Sequence, residues 1–392
     1  MYPLNGVIRP YAWGSRTAIA ELQGRPAPTE GPEAELWLGA HPGDPSTVPG
    51  PDGPVQLTDL IAGDPHGQLG DPVTARFGER LPYLMKVLAA AAPLSLQAHP
   101  DADYAKIAFA RQEADPDAPK NYTDAHHKPE MLVALTPFEA LCGFRPPAVA
   151  AAVIAAFGVP RLDPVVTTLR AGDLSEAVRL LLTWPSDDRK ALIDDVVTAA
   201  SGFADDHEHG DSFRLARKLA EHYPGDPGVL VALLLNLVRL APGEAIWMPA
   251  GNLHAYLNGL GVELMAASDN VLRGGLTPKR VDVDELLAVL RFEVLDDPLL
   301  HGTELEPGVT SWRVPVPDFE LYRIELAANR PPLRLPGSGP RILLGAAGDI
   351  HVGEDHGIPV TLSPGTAAYA PATAGTLTAA GAGTLFIAAV PT

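Results

Sequence analysis

Leu240-Ala-Pro-Gly-Glu-Ala-Ile-Trp-Met-Pro-Ala-Gly251 and, 122 residues further on, Leu362-Ser-Pro-Gly-Thr-Ala-Ala-Tyr-Ala-Pro-Ala-Thr373 repeat one pattern. Pro242 and Pro364, Gly243 and Gly365, Trp247 and Tyr369, and Pro249 and Pro371 coincide, and beyond them so do Gly261 and Gly383. A turn, a short strand, a proline turn and a further strand pair make the second half of a small double-sheet barrel. Written twice, the pattern predicts two jelly-roll barrels. At the same offset His254 becomes Thr376, Tyr256 becomes Thr378 and Glu263 becomes Leu385. The second copy keeps the fold signals and drops the chemical side chains, so a structural role is expected for it.

Working outward, residues 1–80 are rich in Pro and Gly with short apolar runs such as Glu35-Leu36-Trp37-Leu38-Gly39, the texture of short strands and turns. Leu81–Ala89 reads as a strand in which Lys86 shares parity with Leu84 and Leu88. The ordinary reading of such a lysine is an edge strand or a snorkelling stem; the alternative is that it faces a pocket. Asp101 or Asp103 starts a helix through Ala110. Asn121–Phe144 is strand-like again, and Pro146-Pro147 breaks it. Val149–Phe157, Leu174–Trp184, Arg189–Ala200, Ser212–His222 and Gly228–Arg239 then carry apolar residues at helical spacing, the last apolar nearly all round. A single further helix is expected where Asp282 and Glu285 form a capping-box pattern.

The expected fold is mainly β with an α-helical insertion. The first barrel is discontinuous, 1–146 and 240–300; the helical domain is 147–239; the C-terminal jelly roll without metal ligands is 301–392. A formal charge of −19 over 392 residues argues against nucleic acid or an anionic membrane as partner, while leaving room for a small anionic substrate. The one cysteine, Cys142, excludes an internal disulfide, and its apolar setting reads as a buried thiol. With no charged start followed by an apolar core at the N-terminus, and no long apolar window, the expectation is a cytoplasmic protein, taken as a monomer.

Ser95-Leu96-Gln97-Ala98-His99, read as a strand, puts Ser95, Gln97 and His99 on one face and leucines on the other. His126-His127-Lys128-Pro129-Glu130 sets Lys128 and Glu130 on one parity, and Asn252-Leu253-His254-Ala255-Tyr256 does the same for His254 and Tyr256. Gln97, His99, Glu130 and His254 together offer two imidazoles, a carboxylate and an amide oxygen, a set that suits a borderline divalent ion such as zinc.

Tyr11-Ala-Trp13-Gly14-Ser15, Ala34–Pro42, Ser95–Asp101, His127–Met131, Pro242–Tyr256 and Asp269–Lys279 together resemble the type I mannose-6-phosphate isomerase family of the cupin superfamily. The likeness runs from Trp13 to about Lys279 and elsewhere is one of layout. It implies a cupin barrel holding one zinc through Gln97, His99, Glu130 and His254, and reversible isomerisation of mannose 6-phosphate and fructose 6-phosphate. The family's active-site arginine falls on Arg273 and its pocket lysines on Lys86, Lys128 and Lys279.

That chemistry needs a proton carried between two carbons through a cis-enediol and fixed cations for the charge that develops on oxygen. Arg273 is expected to stabilise that charge, with Lys128 and Asp269 taking part in proton transfer. His127 and Glu263 lie in stretches equally suited to proton transfer or substrate contact. Ser95 and Tyr256 are expected to position hydroxyls or phosphate, with Lys86 and Lys279 among the substrate-binding cations. Two rivals remain at this level: an iron-dependent cupin dioxygenase, and a sugar-phosphate-binding module without catalysis.

Overall fold

The strand His254–Ala266 organises the first half of the molecule, because its two ends belong to different layers. Its first residues pair with Phe138–Phe144 on one side and, through His254, with Gln97 on the other. From Gly259 on, it pairs instead with Tyr83–Ala90 and Glu130–Ala134. The corner lies at a register shift between Tyr256 and Asn258 and at Gly259, whose φ of +124° a side chain rarely adopts. A Cβ there would press on Phe138 and the Pro137 carbonyl. Gly259→Ala should therefore lower stability by about 2 kcal/mol or more, read as a shifted urea midpoint.

The computed structural model describes residues 1–117, 119–204, 206–354 and 359–391. It is mainly β. One ten-stranded sheet runs Leu235–Leu240, Phe138–Phe144, His254–Ala266, Tyr83–Ala90, Glu35–Leu38, Val7–Arg9, with Ala245–Met248, Glu130–Ala134, Gln97–Ala98 and Leu272–Arg273 attached beside it. A nine-stranded sheet holds the C-terminal strands, with Leu377–Ala389 at its centre between Glu320–Leu326 and Arg341–Glu354. The sequence repeat is visible in space: Ala245–Met248 answers to Ala367–Ala370, and His254–Ala266 to Leu377–Ala389. The turn glycines of both copies, Gly243 and Gly365, have φ of +90° and +73°, which is why glycine recurs there.

The two sheets share a core in which Leu81, Met85 and Val87 meet Phe319, Leu321, Ile342 and Tyr369. Tyr83, buried between them, donates its hydroxyl to the carbonyls of Ala388 at 3.0 Å and Pro340 at 3.1 Å. The N-terminal strand Tyr2–Leu4 pairs with Ala367–Ala370 and so completes the C-terminal sheet, a long-range pairing that local pattern does not reveal. Among the described residues no helix is long and apolar enough to cross a membrane.

Several elements differ from expectation. Gly228–Arg239 is not one buried helix: Gly228–Ala232 is helical and Leu235–Leu240 is a strand paired with Phe138–Phe144. A continuous apolar run fits either state, and tertiary pairing decides between them. Asp163–Arg170 is a further helix that the spacing argument passed over. Within residues 1–80 the chain also forms short helices at Ala18–Leu22, Leu57–Gly63, Pro65–Leu69 and Asp71–Phe77, too short to show a hydrophobic period. The helix after His99 is capped by Asp101, which accepts from the amides of Asp103 and Tyr104, and it runs on to Ala114. Asp282 caps Val283–Val289 through the amide of Glu285, but the Glu285 carboxylate turns away to Tyr104, Tyr122 and Arg111.

Candidate active site

His99, Glu130 and His254 form the one cluster among the described residues that could hold a metal ion, with ligand atoms all within 4.8 Å of one another. Each comes from a different strand pairing. Glu130 opens the strand Glu130–Ala134, His254 opens His254–Ala266 directly across from Gln97, and His99 follows Gln97–Ala98. The Glu130 Oε2 atom lies 3.2 Å from His254 Nε2 and 3.3 Å from His99 Nε2. The outer nitrogens are held by backbone carbonyls: His99 Nδ1 sits 2.7 Å from the Asn270 oxygen, and His254 Nδ1 3.1 Å from that of Asn252. Those contacts leave both Nε2 atoms free to act as donors toward the cluster's centre.

The electrostatics fit a cation there. Burial, partly opposed by Glu130, pushes the His99 imidazole down to about 4, so it is neutral at pH 7. Its buried Nε2 has no hydrogen-bond partner, an arrangement that a metal ion would satisfy. Burial alone would raise Glu130, but Lys128, with Nζ 2.8 Å from Oε1, and the imidazoles hold it well below the usual carboxylate range. Two imidazoles, a carboxylate and the Gln97 amide form an N/O set of the kind zinc takes.

The low His99 value has a consequence for the metal-free protein. Between about pH 6.5 and 4 an unfolded chain protonates this imidazole while the folded chain does not. Stability should thus fall as pH drops through that window, by up to about 3 kcal/mol. Thermal melts of chelated protein at pH 7 and 4.5 check this, and the fall should be smaller in His99→Gln.

Around the donors lies a second ring of charge. Lys86 faces Glu263 directly across the ladder, with Nζ 3.0 Å from Oε2, and Glu35 lies 3.8 Å away. It is no edge residue: its strand runs between Glu35–Leu38 and His254–Ala266. Against the cost of burial, Glu263, Glu35 and Glu130 keep this ammonium firmly protonated. Burial raises Glu263, partly countered by Lys86, and Tyr256 donates to its Oε1 at 2.8 Å. The corner in His254–Ala266 changes the strand's parity, which is how His254, Tyr256 and Glu263 come to line one cavity. Lys86→Met should cost about 3–5 kcal/mol by stranding two buried carboxylates, and Lys86→Met with Glu263→Leu should cost less than the single change. Urea midpoints of the set give the comparison.

Among the residues singled out from sequence, Gln97, Glu130, His254, Lys86, Lys128, Tyr256 and Glu263 share this cavity. Asp269 lines a neighbouring recess, where His41 Nε2 lies 3.3 Å from its carboxylate and holds it below the usual range, burial opposing. The Gly43 amide donates to His41 Nδ1, which leaves the proton on Nε2 for Asp269. Arg273 pairs across the ladder with Gln97. Ser95 is half-buried just upstream, and Lys279 is exposed on the loop after Arg273. His127 points elsewhere, its Nε2 lying 2.9 Å from Asp318. Cys142 is buried, and burial pushes its thiol up to about 12.

Sequence reasoning gave no role to Glu35, His41, Asn252 and Asn270. Glu35 could have been found from its alternation with Trp37, whose indole Nε1 donates to the Glu35 Oε2 atom at 2.5 Å. Asn270 carried no such signal. It acts through its main-chain oxygen while its buried side chain bonds Thr123, Asp124 and His126.

Comparison with known proteins identifies the family. A family model described as the catalytic domain of type I phosphomannose isomerase matches residues 1–147. Mannose-6-phosphate isomerase of Salmonella typhimurium is 36% identical over 406 aligned positions, covering 98% of each chain. The Escherichia coli K12 protein of that name is 39% identical over 83% of this chain and 84% of its own, and the human one 34% over 84% and 83%. Among solved structures, a zinc-bound mannose 6-phosphate isomerase superposes with a TM-score of 0.91 at 34% identity, covering 100% of this chain and 99% of that one. A variant of the Salmonella typhimurium enzyme gives the same TM-score and identity over the whole of both chains. The chain belongs to the type I mannose-6-phosphate isomerase family.

Proposed function

We propose that this chain interconverts D-mannose 6-phosphate and D-fructose 6-phosphate with one zinc ion per chain. The observation that carries the reading is the buried His99–Glu130–His254 set, ringed by Lys86 and Lys128, in a chain related over its whole length to enzymes of that activity. Zinc, held by Gln97, His99, Glu130 and His254, would supply Lewis-acid stabilisation of negative charge on the sugar oxygens.

The chain's own residues do the rest. Lys128 and Asp269 take part in moving the proton between C1 and C2 of the opened sugar, and the Asp269 carboxylate is oriented for this by His41. Arg273 offsets the charge that grows on the enediol oxygens. Tyr256, Glu263 and Lys86 form one hydrogen-bonded row suited to sugar hydroxyls, while Ser95 and Lys279 lie on the approach, where a phosphate dianion would be met. His127 serves the site through the loop that bears Lys128. The cavity is narrow and polar, which restricts access of water to the reacting carbons.

For the architecture we read each of the two sheets as a cupin-type jelly roll, with the expected bounds 1–146 with 240–300, 301–392 and a helical 147–239 moved in two places: Tyr2–Leu4 goes to the C-terminal sheet, with which it pairs, and Leu235–Leu240 to the first, which leaves the helical domain at 147–234. The support is the shared strand order around the repeat. A monomer in a reducing cytoplasm suits the single buried thiol. Light scattering should give the mass of one chain.

Neither rival gains ground. An iron dioxygenase gives no use to the paired lysines, and a mere binding module gives none to an intact donor set. A coupled assay on mannose 6-phosphate, run before and after chelation and again with zinc restored, is the test. Activity that falls and returns is expected; a folded, zinc-loaded sample that makes no fructose 6-phosphate sinks the proposal.

A further inference from the structure

The C-terminal sheet lacks the chemical side chains of its counterpart, yet one of its residues reaches the loop that carries Lys128. Asp318 lies between the strands Val309–Trp312 and Glu320–Leu326 of that sheet and is 3% exposed. Its Oδ2 lies 2.9 Å from His127 Nε2. His127 immediately precedes Lys128, whose ammonium is bound to Glu130 at 2.8 Å. The next residue of the C-terminal segment, Phe319, is fully buried and packs edge-on against Trp247, itself the ladder partner of Met131 beside Glu130.

Two side-chain contacts thus help to hold the loop that carries Lys128. Its start is fixed within the first sheet, where the Asp124 carboxylate takes the hydroxyl of Ser268 and the amide of His126. The His127 side chain makes the second contact, and the acceptor comes from the other sheet. Without it, the stretch between Asp124 and Glu130 is tied by main-chain bonds at His126 and at Pro129, whose carbonyl accepts from the Ala266 amide at 3.1 Å, and by the Arg80–His126 contact at 3.5 Å, none of which engages the His127 side chain. A buried carboxylate has a desolvation cost that a purely packing role would not require, since an apolar residue would serve as well.

We propose that Asp318 is a positioning residue for the isomerisation, acting through His127 to set the Lys128 ammonium, and that the C-terminal sheet is retained to supply it. The inference rests on the isomerase reading above. If the unaltered zinc-loaded protein were inactive, that reading would fail, whereas the present inference is judged only by differences among active variants.

Asp318→Ala, Asp318→Asn and a control, Ile342→Ala, in the same inter-sheet core, are compared as zinc-loaded proteins at 25 °C, each shown folded by circular dichroism. A lost positioning contact of this kind typically costs about 10- to 100-fold in rate. Asp318→Ala should lose about that much in kcat with KM changed less than about threefold. Asp318→Asn, which keeps an acceptor for His127, should recover much of the loss and secures the test should the alanine variant misfold. Ile342→Ala should lower the melting temperature while leaving kcat within about twofold. Unchanged kcat in Asp318→Ala overturns the inference. An equal loss of kcat in Ile342→Ala overturns it too, because the effect would then be general loosening of the interface.

Discussion

Glu130→Ala should leave a protein that no longer retains zinc on gel filtration and whose kcat/KM is at least about 1,000-fold lower, a loss of roughly 4 kcal/mol of transition-state stabilisation. The size follows from position. One Glu130 oxygen faces both imidazole nitrogens and the other faces Lys128, so among the described residues this carboxylate alone pairs with both the donor cluster and the lysine. Removing it leaves two imidazoles, the Gln97 amide and a buried ammonium with no carboxylate among them, and the ammonium repels a divalent ion. The stranded Lys128 should also cost about 3–5 kcal/mol of stability. Glu130→Gln tests the electrostatic part alone: it keeps the volume and one acceptor oxygen, so it should hold its fold better and still release zinc. Metal analysis by atomic absorption, together with the coupled assay, decides the matter. Zinc retained at one per chain in Glu130→Ala would remove Glu130 from the ligand set.

Much of this site could be read from the chain because strand parity is a short-range rule. Lys128 with Glu130 and His254 with Tyr256 share a face over two residues, and the sheet keeps them so. The repeat at 240 and 362 was legible for the same reason, since its turn glycines have no substitute at positive φ. What escaped depends on register between distant strands. Lys86 resembled an edge residue because nothing local says that Glu263 stands opposite it, 177 positions away. The strand Leu235–Leu240 hid in a run that any buried helix could carry. Asp318 and His127 are 191 residues apart, and Asn270 holds His99 with a backbone oxygen that every residue possesses. His41 and Glu35 were quoted as parts of a motif, yet only the folded geometry shows that one orients Asp269 and the other shares the Lys86 ammonium.

Arg273→Ala should lower kcat about 100- to 1,000-fold, roughly 3–4 kcal/mol, while zinc stays bound and the melting temperature holds or rises slightly. The unusual pairing of these outcomes comes from the state of the guanidinium. Arg273 ends a two-residue strand whose partner is Gln97, which fixes its backbone beside the donor cluster. Its side chain is half-buried, and burial alone lowers its hold on the proton, with no carboxylate paired to it among the described residues. Other buried arginines spend the guanidinium on backbone carbonyls, as Arg145 does on that of Leu235 and Arg341 on that of Gly375, whereas the Arg273 guanidinium has no such partner among the described residues. An unpaired cation destabilises the resting protein, so its removal relieves a cost; the compensation arrives when negative charge forms on the substrate. Arg273→Lys keeps the charge without the planar fork and should recover part of the rate, leaving a deficit of about 10-fold. Loss of zinc in Arg273→Ala would assign the residue to the metal site instead, and a kcat within twofold of the parent would leave the enediol charge to Lys128 and the metal alone.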